Sequence, residues 1–520
     1  MYLGIDLGTS ALKVILMDDD QNLLGEKNIP LEVNRPQTLF SEQSPEEWWN
    51  ALEQAICSLK SETDLSGLKG IGLSGQMHGA VLLDEKGEVL RPAILWNDGR
   101  SGKECLELEE TEPELRVITG NLAMPGFTAP KLLWVHKHEP QIFKQIHKVL
   151  LPKDYLRFKL SGETISDRSD SAGTLWLDTE KREWSEQMLS ATHLSKDQMP
   201  TLVEGSEPGA QLSAKLTREW GLSSSPVIAG GAGDNAAGAI GMGAVEPENA
   251  FLTLGTSGVY FVINPTFLPS PVQGAHAFCH CIPNTWHQMG VILSASSCLS
   301  WIAGVTQQIE SKLIDKLESR PFEPGNLCFL PYLSGERTPH NNPNAQGVFL
   351  GLKHEHGSLV MTQAVLEGVA YAFGDCENVL LGAGAEIGEV SLIGGGSRSR
   401  LWGQILASVL NRPLNRHRGP NFDRPNEQPV WPCPASPPRN CCGFTNMSLK
   451  FSNRSTKSCF PKITYVTNFQ ERQFPIGRIL HERSGWTRKN VSGRNKCFLQ
   501  PISQKIRCQP LSREVSREHN

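Results

Sequence analysis

No Gly-x4-Gly-Lys-Ser/Thr occurs in the 520 residues, so no P-loop is encoded, and the Gly394-Gly395-Gly396-Ser397 turn lacks the Gly-x-Gly-x-x-Gly of a dinucleotide-binding βαβ unit. The 13 cysteines include no Cys-x-x-Cys pair, and their scattered spacing points to reduced thiols rather than a disulfide frame. No run approaches the roughly 18 apolar residues of a membrane span. The Gly-rich stretch from Val227 to Val245 is too rich in turn residues to serve as one. Positive charge is scarce over most of the chain. Residues 1–414 hold 31 Lys and Arg against 49 Asp and Glu, a net of −18. So acidic a body is a poor nucleic-acid binder, because phosphate attraction dominates such affinity. With no leader before the first apolar strand, the expectation is a cytoplasmic protein with neither nucleic acid nor membrane as partner.

Metal-ligand spacing is also weak. His276, Cys279, Cys281 and His287 are the best candidates, but Ala275 to Ile282 alternates small residues in the manner of a strand. A strand of that kind needs no metal.

What the chain does carry begins at its first residues, Met-Tyr-Leu-Gly-Ile-Asp-Leu-Gly-Thr-Ser. An apolar strand, Leu3 to Leu7, delivers Asp6 to a turn of Gly8, Thr9 and Ser10, and a second strand runs from Leu12 to Met17. A carboxylate beside freed backbone N–H groups and two hydroxyls suits a metal-chelated polyphosphate, with Asp6 holding Mg2+ directly or through water. Ser44, Pro45, Glu46 and Glu47 read as the start of a helix with Trp48, Leu52, Ala55, Ile56 and Leu59 on its inward face. A strand from Ile71 to Gly75 leads to Gln76, Met77, His78 and Gly79. Strands and helices then alternate to about residue 240, an α/β pattern.

The opening device then recurs. Ala250 to Leu254, the turn Gly255-Thr256-Ser257-Gly258 and the return strand Val259 to Ile263 repeat strand, Gly-Thr-Ser, strand some 250 residues later. Two halves of like plan imply two lobes with a cleft between them. A third piece, Val390 to Ile393 followed by Gly394, Gly395, Gly396 and Ser397, runs into a helix through Leu401, Ile405, Leu406 and Val409. It allows backbone to pass close to a nucleotide.

Asp6 with its Gly-Thr-Ser turn, the second Gly-Thr-Ser and the Gly-Gly-Gly-Ser turn together resemble the FGGY carbohydrate kinases. Gly126 to His138, reading Gly-Phe-Thr-Ala-Pro-Lys-Leu-Leu-Trp-Val-His-Lys-His, is similar to that family's first signature. Gly347 through Phe349, Gly351 and Leu352 to Glu367 is similar to the second, departing at Val360, where a polar residue is usual. Within the family, Ser74 to Gly79, Trp96 to Arg100 and Leu333 to His340 are similar to members whose acceptor is D-xylulose.

The resemblance implies an α/β, two-lobed actin-like ATPase (ribonuclease H-like) fold and ATP-dependent phosphorylation of D-xylulose at C5. ATP and Mg2+ are the implied cofactors, a sugar the implied substrate and a second copy of the chain a candidate partner. Another ketopentose or polyol remains an alternative acceptor. Asp234, in Gly230-Gly-Ala-Gly-Asp-Asn-Ala-Ala-Gly238, is implied as the base, with Asp6 and Asp234 as metal-holding carboxylates. Capping of the following helix is a second reading of Asp234. Gly8, Thr9, Ser10, Lys13, Gly255, Thr256, Ser257, Gly394, Gly395, Gly396 and Ser397 are the implied nucleotide contacts. Met77, His78 and Asn235 are the implied sugar contacts; His78 also reads as a strand-end histidine. Trp96 reads equally as a sugar platform or core filler. Arg100 and the Glu336–Arg337 pair read as structural ion pairs, and Lys131 and Trp134 as packing on a helical stripe.

The likeness fades after Leu414. Residues 415–520 carry 19 Lys and Arg against 6 Asp and Glu, with six cysteines, many prolines and no sustained period of 2 or 3.6. The expected domains are therefore an N-terminal lobe at 1–244, a C-terminal lobe at 245–414 and an unpacked basic tail at 415–520. The expected origin is a change of reading frame near codon 414; the competing reading, a genuine basic extension that binds nucleic acid or a membrane surface, is disfavoured because the charges are dispersed without a run or an amphipathic stripe. The frame change leaves the second lobe incomplete and a chain that binds without turnover as the remaining alternative.

Overall fold

The computed structural model describes residues 1–416 and the backbone of Leu449–Lys450 and Thr464–Tyr465. The chain forms two compact units, Met1–Asn446 and Met447–Asn520. Of the second unit only the antiparallel pairing of those two short strands is described. The expected unpacked tail and the proposed frame change lie outside the described residues, apart from Asn415, Arg416 and those strands.

Within the first unit, β1 (Tyr2–Leu7), β2 (Ala11–Met17) and β3 (Leu23–Pro30) form an antiparallel meander. Period-two alternation turns Leu3, Ile5 and Leu7 into the core and leaves Asp6 on the other face. The buried face is covered by α1 (Pro45–Glu62), whose Trp48, Leu52, Ala55, Ile56 and Leu59 point inward as their helical spacing requires. Pro45 opens α1 as expected, but the Ser44 hydroxyl makes no capping hydrogen bond. β4 (Gly70–Gly75) then pairs parallel to β1.

Three helices follow that matter for the site: α2 (Thr128–His138), α3 (Pro152–Ser161) and α4 (Arg168–Ala172). β5 (Pro208–Gln211) and β6 (Val227–Ala229) complete the sheet in the order β5-β6-β4-β1-β2-β3. A two-residue strand, β7 (Ala232–Gly233), also pairs parallel with the end of β4 and leads directly into α5 (Asp234–Gly241).

The second sheet repeats the plan. β8 (Ala250–Leu254) and β9 (Gly258–Asn264) are an antiparallel pair, and β9 is flanked by β11 (Trp286–Ile292), which carries β10 (His276–Cys279) at its far edge. β12 (Val390–Ile393) and β13 (Leu414–Arg416) extend the other side in parallel, giving the order β10-β11-β9-β8-β12-β13. In each sheet, then, an antiparallel meander is continued on the side of its first strand by two parallel strands, β4 and β6 in the first and β12 and β13 in the second, with β5 antiparallel at the first sheet's edge. The core of this half is closed by α6 (Ser296–Val305), α7 (Ser358–Gly382) and α8 (Arg400–Leu410), with Val369, Phe373, Trp402 and Leu406 buried against Leu252 and Leu392.

A third core joins the two halves. Phe127, Leu132 and Leu177 from the first half pack in one cluster with Phe251, Phe261, Phe278 and Met289 from the second. Ala239 of α5 lies in the same cluster, so the helix that begins at Asp234 ends in the shared core. His276, Cys279 and His287 are buried among aromatic rings, and no group of three or more His, Cys, Asp or Glu able to hold a metal occurs among the described residues.

Candidate active site

Asp6 is the penultimate residue of β1, opposite Lys13 on β2 and Ser74 on β4. Because β7 continues the parallel pairing on the other side of β4, with Ala232 beside Ser74 and Gly233 beside Gly75, Asp234 emerges at the same end of the sheet. Both residues are solvent-exposed, while neighbouring protein crowds their carboxyl groups. Burial raises the Asp6 carboxyl above its usual range, against the lowering effects of the Ser74 hydrogen bond and the Lys13 charge. Asp234 is pushed up to about 6, first by burial and then by the like charge of Asp6. The bonds from Asn235 oppose that rise without cancelling it.

Asp234 does not cap its helix. Gly233 occupies the N-cap position, and the Asp234 side chain accepts instead from Asn235. The backbone N–H and the side-chain Nδ2 of Asn235 both donate to Oδ1, at 2.7 and 2.8 Å. Oδ2 is left as the oxygen able to take a proton, and the Asn235 amide is engaged with Asp234.

Of the two residues after Gln76, Met77 lies against Gly233, just before Asp234, and His78 against Gly173. A Cβ added to Gly233 would meet the Met77 side chain at 2.8 Å, and one added to Gly173 would meet the His78 ring at 2.5 Å. The His78 Nδ1 lies 2.6 Å from the Gly173 carbonyl. A carbonyl only accepts, so Nδ1 carries the proton and Nε2 keeps its lone pair. Burial, with Lys131 and Arg337 nearby, lowers the His78 pKa to about 3, and the ring is neutral at working pH. Its backbone is left-handed (φ 68°), a conformation that costs a non-glycine residue energy unless its surroundings impose it. They do: the His78 carbonyl accepts from Lys131 Nζ at 2.8 Å and from Thr128 Oγ1 at 3.1 Å. Phe127 meets the ring edge-on at 4.8 Å.

Lys131 is thus more than packing. It is fully buried, bonded to the carbonyls of His78 and Gly126, and burial lowers its pKa to about 7. Its signal in the sequence was a lysine amid the apolar stripe of α2. Trp96 does not fill the core; it is 47 % exposed, and its indole N–H donates to Thr9 Oγ1 at 2.9 Å. Thr9 Oγ1 donates in turn to Gln76 Oε1, and Gln43 Nε2 donates to the Thr9 carbonyl at 2.7 Å. Gln43 and Gln76, which hold the first turn, were not singled out from the sequence because a glutamine at a strand end has no distinguishing spacing.

Lys13 pairs with Glu26 at 3.0 Å on the exposed face of the meander. Arg100 pairs with Asp98 and Glu42, as a structural ion pair should. The Glu336–Arg337 pair differs from that reading: Glu336 Oε1 accepts from the backbone N–H groups of Leu293 and Arg337, while the Arg337 guanidinium faces His276.

In the second half, the third turn packs onto the second Gly-Thr-Ser. Gly394 has φ 90°, and an added Cβ would lie 2.7 Å from the Leu254 carbonyl carbon and 3.0 Å from the Gly255 nitrogen. A Cβ on Gly396 would strike Leu254 at 2.6 Å. Only glycine lets these turns approach so closely. Gly395 faces open space, and the Ser397 hydroxyl closes its own turn on the Gly394 carbonyl at 2.7 Å. The Gly255 and Thr256 carbonyls accept from the N–H groups of Ser296 and Ala295, while the Thr256 and Ser257 side chains are exposed. Gly8, Thr9 and Ser10 therefore assemble with Asp6, Met77, His78, Trp96, Asp234 and Asn235 in the first half. Gly255, Thr256 and Ser257 assemble with Gly394, Gly395, Gly396 and Ser397 in the second. A depression of about 480 Å³ lined by Lys148, Arg168, Arg182, Trp184 and Pro200 shares none of these residues.

The family models for the N-terminal and C-terminal domains of the FGGY family of carbohydrate kinases match residues 1–241 and 250–421. A xylulose kinase of Escherichia coli is 53% identical over 420 residues, covering 81% of this chain and 87% of the relative. One from Bacillus subtilis is 35% identical over 426 residues, covering 80% and 85%. Among solved structures, a xyloylose kinase from Brucella ovis superposes with a TM-score of 0.80 at 52% identity, over 81% of this chain and 87% of that one. A glycerol kinase from Plasmodium falciparum shares the fold, with a TM-score of 0.75 at 21% identity over 80% of this chain and 86% of that one.

Proposed function

The chain belongs to the FGGY family of carbohydrate kinases, and on that footing we propose that it phosphorylates D-xylulose with ATP, giving D-xylulose 5-phosphate and ADP. Identity of 53% to a xylulose kinase supports the acceptor, and FGGY kinases use ATP. The observation that carries the reading is the Asp234 carboxyl, poised near 6 beside Asp6 with Oδ2 uncommitted.

In the proposed reaction the C5 hydroxyl of the sugar gives its proton to Asp234 Oδ2 as its oxygen bonds to the γ-phosphorus. The bond from that phosphorus to the bridging oxygen breaks, and ADP leaves. Met77 and the neutral His78 hold the sugar, with His78 Nε2 accepting from a hydroxyl. Trp96, held by Thr9, offers a ring face. The N–H groups and hydroxyls of Gly8 to Ser10 and Gly255 to Ser257 receive the phosphates, and Gly394 to Gly396 bring backbone close to the nucleotide.

The residues also fit Mg2+. Asp6 and Asp234 are two hard carboxylates near enough for one charge to bear on the other, and an ion that keeps its waters and binds phosphates needs no more. When bound, it neutralises charge on the phosphates. We place the reaction in the cytoplasm, where ATP is available; no helix among the described residues is long and apolar enough to cross a membrane.

The test is ADP release by the full chain with D-xylulose, D-ribulose and glycerol in turn. The reading expects kcat/KM to be highest with D-xylulose. A higher value with either other acceptor reassigns the substrate, and sugar binding without ADP release from any of them overturns the activity.

A further inference from the structure

The loop that delivers Asp234 is gripped from beneath by charged side chains that touch neither substrate. Arg157, Lys153, Asp154, Asp167 and Asp170 on and around α3 and α4 are all fully buried. Lys153 Nζ lies 2.7 Å from Asp154 Oδ1, 2.7 Å from Asp167 Oδ2 and 3.2 Å from Asp170 Oδ2. The Arg157 guanidinium, with Nη2 3.7 Å from Asp154 Oδ1, reaches past the cluster to the loop: Nη1 donates to the Ala229 carbonyl at 2.6 Å and Nη2 to the Gly230 carbonyl. Asp167 caps α4, accepting from the N–H groups of Ser169 and Asp170 and from the Ser169 hydroxyl at 2.5 Å. The Ser169 oxygen then accepts from the Gly233 N–H at 3.3 Å.

The segment Gly230 to Gly233 is therefore held at both ends, one residue short of Asp234. At Gly230 and Gly231 no side chain fits, and between the holds only the small Ala232 carries one. A Cβ on Gly230 would lie 2.0 Å from the Glu204 carbonyl oxygen, and one on Gly231 (φ 79°) 2.4 Å from that of Leu73. Backbone bonds from the Gly230 and Gly231 N–H groups to the Glu207 and Gly205 carbonyls and the pairing of β7 with β4 fix the strand itself, and the side-chain holds on it are those of Arg157 and Ser169.

We propose that Arg157 is a positioning residue for Asp234, fixing through the Ala229 and Gly230 carbonyls the loop that aims the carboxylate, with Ser169 as the second hold. This rests on the reading of Asp234 as the base. A burial this costly in desolvation is explained by what the charges hold in place. A guanidinium is needed because its planar fork reaches two adjacent carbonyls at once, which a lysine ammonium on a shorter reach does not.

The full-length enzyme carrying Arg157→Lys, and separately Ser169→Ala and Ser169→Thr, is assayed for saturation by D-xylulose and ATP across pH, alongside thermal melts. A carboxylate displaced by about an ångström loses roughly 10- to 100-fold in rate. Arg157→Lys is thus expected to lower kcat by that factor, leave KM for D-xylulose within about twofold and move the acid limb of the pH profile. Ser169→Ala, which removes one hydrogen bond, loses roughly two- to tenfold, and Ser169→Thr recovers it. In an Asp234→Asn background, Arg157→Lys has no further effect on residual turnover.

Arg157→Lys with kcat within about twofold of the parent, or with equal loss in both backgrounds, overturns the positioning role alone. Should Arg157→Lys fail to fold, an undiminished kcat in Ser169→Ala overturns it. Full turnover by Asp234→Asn overturns the base assignment and this inference with it.

Discussion

Asp234 combines a proton-accepting oxygen with an environment that resists its charge, and this fixes both the pH response and the stability of the enzyme. As the proposed base, Asp234 acts only when ionised, so kcat/KM is expected to fall as pH drops through about 6, as a titration of initial rates would show. Asp6 contributes to that position by like-charge repulsion. Asp6→Asn should move the acid limb to lower pH even as it lowers the rate, which a pH profile of the variant's residual activity tests. The His78 ring, held near 3, adds no limb of its own. The stability effect has the opposite sign to the usual carboxylate. The folded Asp234 pKa lies above the unfolded value near 3.9. The native state therefore binds the extra proton, and stability falls as pH rises from about 4 to about 6 and stays lower above it. Asp234→Asn should then raise Tm at pH 8 relative to the parent and change it little at pH 4. His78, Met77 and Asp234 were visible in the sequence because short glycine-flanked motifs carry them. Arg157 and Ser169 were not, and Lys131 was legible only as packing, because what they touch lies in another element, and only the folded chain shows a buried cation ending on a carbonyl.

At the scale of elements, the meander and the helix over it were the most legible parts, since β1 alternates at period two and α1 repeats at helical spacing over a full inward face. Leu52 sits in that face with no exposure, so Leu52→Ala should cost about 2–5 kcal/mol in a denaturant titration, the range for a large-to-small change in a packed core. The second Gly-Thr-Ser and the Gly-Gly-Gly-Ser turn were also visible, but their contact was not. Gly394 lies on Leu254 because β12 pairs beside β8, a non-local pairing that no local pattern encodes. Gly394→Ala combines a left-handed backbone with a clash against Leu254. It is expected to raise KM for ATP at least severalfold while leaving D-xylulose binding intact, measurable by saturation kinetics in each substrate. Equal weakening of both substrates would show that this turn serves the whole fold and not the nucleotide.

At the scale of the molecule, two sheets of one plan each present a Gly-Thr-Ser turn, and a shared core of Phe127, Phe251, Phe261 and Phe278 ties the halves together. Repetition at about 250 residues made the two-lobed organisation readable, while the joining core escaped notice because its residues come from strands and helices far apart in sequence. That core is apolar on both sides, whereas the proposed chemistry is divided: the carboxylates and proposed sugar contacts lie in the first half with one Gly-Thr-Ser turn, and the second Gly-Thr-Ser packs with the Gly-Gly-Gly-Ser turn in the other. The helix α5 links them, starting at Asp234 and burying Ala239 in that shared core. The account depends on Asp234 taking the sugar proton, and the most direct test is Asp234→Asn with D-xylulose binding measured by calorimetry and turnover by ADP release. It predicts binding within a few-fold of the parent and a kcat lower by about 10²–10⁴-fold, the contribution of a general base. A kcat within tenfold of the parent would contradict it.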